Sequence, residues 1–352
     1  MRRKITLAFG LFSLLLSYAQ SGGDNIYDFL NLTPSAKYTA LGGQQISLND
    51  GDINAVYHNP AMLSSEMDNQ FAINYNDYLS DISFSTVNYA RTFSNIGNFA
   101  AGLQYFNYNE FEYADETGYR SGETFKGMDY CIALSYSRSL IDSTLRVGVT
   151  FKTIFSDLEN YFSYGVAADL GVNYISKSKL FSAGLVFKNM GMQLKTYDPS
   201  QTREKLPFEI QAGLTKRLAH APFRLSVLTT HIEDWNLYYK TAEQKKEDTD
   251  PETGIESQDK SFEAYGDKFF RHIIVGLDFI PSKSLVISAG YNYKRRKELM
   301  LVDAPGMIGF TFGASLNLRK FSIAYGRQAY HVSSSTNTFS LRLNLNEFGK
   351  NL

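Results

Sequence analysis

A transmembrane antiparallel β-barrel of about fourteen strands, all-β in class, is the fold this 352-residue sequence predicts. Three observations carry that expectation. An export-type leader is followed by no second apolar run long enough for a membrane helix, so any crossing must use strands, and in lipid strands must close on themselves. Many later segments alternate apolar and polar residues with a period of two. The links between those segments alternate between short and long, as the two ends of an outer-membrane barrel require.

The leader comprises Arg2, Arg3 and Lys4, an apolar run over residues 5–16, and Ser17-Tyr18-Ala19 as a small-x-small cleavage site. That run falls short of the roughly 20 apolar residues of a spanning helix. Residues 1–19 therefore read as a signal peptide, and the absence of a Cys after the cleavage region argues against a lipid anchor. The single Cys131 has no internal partner for a disulfide and reads as wall. Tyr and Phe number 24 and 26 against 1 Trp and 8 Pro, a composition that favours strands. The balance of 35 basic against 36 acidic residues gives no field for nucleic acid.

The alternation is clearest at Phe162, Tyr164, Val166, Ala168, Leu170, Val172 and Tyr174, which share one face while Ser163, Gly165, Ala167, Asp169, Gly171 and Asn173 share the other. Strands are expected at 71–77, 82–91, 99–108, 130–138, 145–155, 162–174, 180–188, 208–216, 223–230, 273–279, 285–293, 308–316, 321–328 and 338–345. Charge parity sharpens the reading, because a charge on the lipid face near the midplane costs about 2–4 kcal/mol. Arg146, Lys152, Asp169, Glu209, Arg224, Asp278 and Arg342 all fall in the phase opposite their strand's apolar residues and are expected to face the lumen.

A soluble sandwich shows the same alternation, so link lengths must separate the two. Tight links at 139–144, 175–179, 217–222, 280–284 and 317–320 alternate with long ones at 109–129, 189–207, 231–272 and 294–307. A soluble secreted β-protein is the weaker reading on this count. The barrel, residues 68–352, is expected in the outer membrane with its long links outside the cell and both chain ends in the periplasm. Residues 20–67 lack the alternation yet carry Ile26, Phe29, Leu30, Leu41 and Ile46, which need burial, so they read as a plug in or under the lumen. Thr33 as N-cap, Pro34 at the first position and Gly42-Gly43 as the stop mark a short helix over 35–41.

No enzymatic chemistry emerges, and no cofactor or metal is expected. His58, His220, His231, His272 and His331 are scattered without metal-type spacing, and no Ser sits in GxSxG. The run Asp248-Thr249-Asp250-Pro251-Glu252-Thr253-Gly254 resembles part of a Ca²⁺ loop, but its Gly falls one place late, which favours a solvated loop tip. Trp235, Tyr238 and Tyr239 read either as interfacial girdle or as a docking surface for another protein.

The run Leu41-Gly42-Gly43, Ser47-Leu48-Asn49-Asp50, Ala55 and Asn59-Pro60-Ala61-Met62-Leu63 resembles the amino-terminal signature of FadL-like barrels, in which Asn59, Pro60 and Ala61 would form the plug motif. Phe29-Leu30-Asn31-Leu32, Ala100-Ala101-Gly102-Leu103-Gln104-Tyr105, Gly165-Val166-Ala167-Ala168-Asp169-Leu170-Gly171 and the stretch from Leu206 to Trp235 resemble the PorQ and PorV branch of barrels in the type IX secretion system. That resemblance implies a non-enzymatic subunit anchoring a cell-surface complex, with PorZ as direct partner and PorU and PorV in the same complex. Such complexes attach secreted cargo to anionic lipopolysaccharide. The alternative is FadL-like transport of a hydrophobic small molecule, with a local pocket built by Tyr27, Phe29 and Leu30.

Overall fold

The computed structural model of the protein describes residues 25–78, 82–114, 119–141, 144–237, 262–300, 306–330 and 335–348. The leader, the 248–254 run, Tyr238, Tyr239 and His331 lie outside the described residues. In hydrocarbon every backbone amide and carbonyl must be bonded within the protein, and a sheet achieves this only by closing. Fourteen strands do so, each antiparallel to its sequence neighbours, with β14 returning to pair with β1. They are β1 Gln70–Asp77, β2 Ser83–Phe93, β3 Gly97–Ala114, β4 Arg120–Ile141, β5 Leu145–Leu158, β6 Tyr161–Ile175 and β7 Phe181–Lys195. The second half comprises β8 Glu209–Arg217, β9 Phe223–Thr229, β10 Ile273–Phe279, β11 Leu285–Asn292, β12 Phe310–Asn317, β13 Phe321–Ala329 and β14 Ser335–Asn344. Among the described residues three α-helices accompany them: α1 Ala36–Ala40 inside the barrel, and α2 Phe262–Arg271 and α3 Tyr293–Leu299 in two long links. Among the described residues, no helix is long and apolar enough to cross a membrane.

Each of the fourteen expected segments corresponds to one strand, and the alternation has the expected sense. Ile73, Leu134, Phe151, Leu170 and Ile323 stand on the outer face and are exposed, while the residues between them point inward and are buried. Closure places outer residues side by side around the wall; Ile73 lies opposite both Leu341 and Val87. The inward set includes Lys152 and Asp169, 3% and 1% exposed, which pair at 2.7 Å.

Two expectations need correction. First, the link at 109–129 is largely strand and the one at 189–207 begins as strand: β3 runs on to Ala114, β4 starts at Arg120, and β7 reaches Lys195. Beyond the apolar band the hairpin is held by other contacts. Phe111 stacks on Phe125 at 5.3 Å, and Glu110 and Glu112 pair with Lys126 and Arg120, each at 3.0 Å. Irregularities at Asn109 and Asn189, with φ of 68° and 56°, interrupt the apolar period there, which is why the sequence pattern loses these strands early. Second, the helix near residue 36 starts one residue late. Ser35, extended at φ −121°, is the N-cap and makes no side-chain cap bond. The Thr33 hydroxyl instead donates to the Gly43 carbonyl and closes the loop around α1.

The two ends of the described residues lie at opposite ends of the barrel. Asn25 pairs with Lys205 in the β7–β8 link, at the end of the barrel bearing long links. Leu345 donates its amide to the Asn69 carbonyl at the opposite, short-turn end. Residues 25–69 thus run through the lumen from one end to the other before β1 begins. The outer face predicts a sharp asymmetry: Phe151→Arg, on that face and 51% exposed, should lower barrel stability by about 2–4 kcal/mol in urea titrations in lipid vesicles. A loss under about 0.5 kcal/mol would place Phe151 away from hydrocarbon.

Candidate functional site

The lumen is occupied by the chain's own residues 25–67, and the wall is shaped to receive them. Where the segment passes close, the inward positions are glycines, in cross-strand pairs: Gly148 with Gly171, Gly184 with Gly213, Gly276 with Gly290, and Gly313 with Gly326. A Cβ at Gly148 would overlap the Pro60 carbonyl, and one at Gly171 would overlap Asn59 Oδ1. Close backbone approach is the reason for glycine at these sites, rather than a special dihedral. Gly42 is different: φ of +97° ends α1, and a side chain there would strike Ile274.

Around this belt, polar wall side chains satisfy the segment's backbone. Thr311 Oγ1 donates to Ala40 O at 2.8 Å and accepts from Gly42 N at 2.9 Å. Ser182 Oγ donates to Ser47 O and Ser137 Oγ to Leu63 O, both at 2.6 Å. Arg146 donates to Met62 O at 3.0 Å, so this buried cation meets carbonyls at the end of the Pro60–Met62 turn rather than a carboxylate. Asn54 Oδ1 accepts from Asn74 and Asn88 on β1 and β2, at 2.7 and 3.0 Å. Buried backbone polar groups are nearly always bonded, and here the barrel supplies partners that a sheet or helix normally would.

The Asn59-Pro60-Ala61 motif sits at the centre of this arrangement. Asn59 caps the short turn by accepting from Ala61 N at 2.9 Å, and its amide donates to Ile46 O at 3.0 Å and Val172 O at 3.2 Å. Beside it His58, 2% exposed, stacks on Tyr38 with ring centroids 4.2 Å apart.

The two halves of the lumen differ in chemistry. At the short-turn end, Lys37 contacts Asp50, Arg224 bridges Asp50 at 3.0 Å and Asp278 at 2.8 Å, and Arg342 lies 3.7 Å from Asp52. At the long-link end the inward face carries an apolar cluster instead, Phe84, Phe106, Cys131, Ile154, Ala167 and Leu206 filled by Ile26, Tyr27, Phe29 and Leu30, with buried Asp129, Ser156 and Ser163 beside it. Between these regions, Lys152 donates to Asn189 Oδ1 at 2.7 Å, Asn189 N donates to Asp169, and Glu209 lies 3.8 Å from His231. All seven charges expected to face the lumen therefore point inward, but in separate clusters along its length.

No protein-family model and no curated protein matches the sequence. Solved structures do match the shape. The toluene transporter TodX of Pseudomonas putida aligns with a TM-score of 0.53 at 13% identity, covering 88% of this chain and 96% of that one. The fold is FadL-like. A FadL homologue of Pseudomonas aeruginosa aligns with a TM-score of 0.50 at 12% identity, over 89% and 98% of the two chains. Identities this low carry the barrel architecture and nothing finer.

Of the aromatic residues singled out in the third long link, Trp235 alone lies among the described residues. It is 55% exposed yet stacks on the His272 ring, centroids 4.9 Å apart and planes 19° off parallel. Nearby, α2 exposes Tyr265, Phe269 and Phe270 and is tied to α3 through Asp267, which accepts from Tyr293 at 2.7 Å and from Arg271 at 2.7 Å. Burial pushes the Asp267 carboxyl up, and those two hydrogen bonds together with the positive charges of Arg271 and Lys297 outweigh it, so it sits below the ordinary carboxylate range. The two helices carry no leucine-type period long enough to announce them in the sequence.

Sequence reading also misses the Lys37, Asp50 and Asp52 cluster, because residues 20–67 have no strand phase to project onto. It misses the glycine belt too, although the signal was present: the belt glycines occupy the inward phase of their strands. Gly171→Val should unseat Asn59 while leaving the ladder intact. Limited proteolysis should then cut within residues 25–67 of a barrel that still shows heat-modifiable gel mobility; unchanged protection would mean that the segment does not rest on this glycine.

Proposed function

We propose that the protein is a FadL-like outer-membrane barrel that admits a hydrophobic small molecule to a chamber at the long-link end of its lumen. The observation carrying this reading is the apolar cluster around Phe84, Phe106 and Ile154. A lumen serving only as scaffold has no need of a greasy compartment above a polar one, and apolar pockets with a few polar groups are the usual form of small-molecule sites. The residues that fill the chamber have fewer hydrogen bonds to the wall than the rest of the segment. Ile26 N is tied to Lys205 O at 2.9 Å and the Tyr27 hydroxyl to Ser163 Oγ at 2.5 Å, whereas residues 36–63 are held by many wall contacts. TodX, of the same fold, is named a toluene transporter, which supports the class of cargo.

The test is ligand retention. Phe29→Ala with Leu30→Ala should enlarge the chamber and raise binding of a labelled fatty acid or monoaromatic hydrocarbon at least several-fold over the parent in nanodiscs. Failure of both proteins to bind either probe by native mass spectrometry would overturn the reading.

A second reading rests on a different observation, the exposed Trp235, Tyr265, Phe269 and Phe270 above the barrel rim. Aromatic residues of this kind dominate binding hot spots. Together with the resemblance to type IX secretion barrels, they support a non-enzymatic anchor for a surface complex, with PorZ as direct partner and PorU and PorV beside it. Deleting residues 235–266 should then release the partner on co-purification while the barrel stays folded. Full retention of surface partners would remove the loop from consideration.

A further inference from the structure

At the short-turn mouth a cavity of about 290 Å³ lies between the lumenal segment and the wall. Five cationic side chains line it, Lys37, Arg217, Arg224, Lys283 and Arg342, against two carboxylates, Asp50 and Asp52. The carboxylates are already taken. Asp50 is held by Lys37 and Arg224, and Asp52 lies 3.9 Å from Lys37 and 3.7 Å from Arg342. Arg224 is further matched by Asp278 behind it. Arg217, at the inward phase of β8, and Lys283, in the β10–β11 turn, have no carboxylate within salt-bridge distance among the described residues. The cavity therefore carries surplus positive charge at its mouth, where Arg217 and Lys283 are both exposed.

A second observation points the same way. Ser35, 0% exposed, lines this cavity, and its Oγ has no hydrogen-bond partner. A hydroxyl freed from capping α1 and left unbonded is an available donor, and buried polar atoms rarely stay unpaired without a ligand, ion or water to meet them. Ser315 and Asn317 add polar wall to the same space.

We infer that this cavity is a binding site for a small soluble oxyanion, of phosphate or carboxylate type, held by Arg217 and Lys283 with Ser35 as hydrogen-bond donor. Guanidinium and ammonium groups bind such anions through charge-assisted hydrogen bonds. The site is distinct from the apolar chamber at the other end of the lumen and stands whether or not that chamber takes a ligand. Its position, between Lys37, Asp50 and Asp52 on the segment and Arg224 and Arg342 on the wall, means that a bound anion would bridge the two.

The experiment is calorimetric titration of the full chain in neutral maltoside micelles at low salt, with inorganic phosphate and with succinate as probes. Saturable binding of at least one probe is expected, weakening as salt is raised. Arg217→Gln with Lys283→Gln should weaken it at least tenfold, and Lys216→Gln, on the outer phase of the same strand, should leave it unchanged. Heat-modifiable mobility confirms that each variant is folded. Absence of saturable binding by the parent chain, or equal loss in the Lys216 variant, would overturn the proposal. So would binding that appears only when phosphatidylglycerol is supplied in nanodiscs, because that outcome assigns the cations to lipid headgroups at the rim.

Discussion

In a bilayer the cost of an unpaired backbone amide or carbonyl, several kcal/mol each, leaves a sheet no choice but to close, and every other feature of this chain follows from that closure. Once β14 pairs with β1, each strand has one face in lipid and one face around an enclosed space. The outer face is then uniform in chemistry, and the inner face is free to vary. Variation along the inner face, from the Lys37 and Arg224 cluster through the glycine belt to the Phe84 and Phe106 chamber, is where function can reside.

The glycine belt shows how the enclosed space is filled without a second hydrophobic core. Helices and strands normally satisfy their own backbones, but most of residues 25–67 form only short turns. Their carbonyls and amides are met instead by Ser137, Ser182, Thr311 and Arg146 from the wall. Removing side chains at Gly148 and Gly171 lets the segment come close enough for that, and placing Asn59 there adds three hydrogen bonds at the point of closest approach. A lumen built this way is held by many hydrogen bonds around Asn59 and mainly by apolar packing at the end where Ile26 and Tyr27 sit.

The barrel was legible because hydrocarbon enforces a strict rule on alternate residues. Phe151 outward and Lys152 inward could be assigned from parity alone, and the parity of Asp169 and Arg342 was equally plain. The rule lapses outside the apolar band, so the extensions of β3, β4 and β7 were read as loops even though Phe111 and Phe125 stack across them. It has no purchase on residues 25–67, whose positions are decided by contacts with residues far along the chain, as when Ala36 N meets Ser340. An irregular segment gives no count of crossings, and this one passes through the lumen from the long-link end to the short-turn end.

The central claim is that alternate residues of each strand face lipid and the enclosed, chain-filled interior. Nitroxide scanning of residues 163–173 on β6 in liposomes, comparing collision rates with oxygen and with a water-soluble nickel chelate, tests it most directly. The account predicts high oxygen accessibility at Tyr164, Val166, Ala168, Leu170 and Val172, and low accessibility to both reagents at the residues between them. Chelate access at the inward positions comparable to bulk water, or an oxygen profile without a period of two, would contradict it.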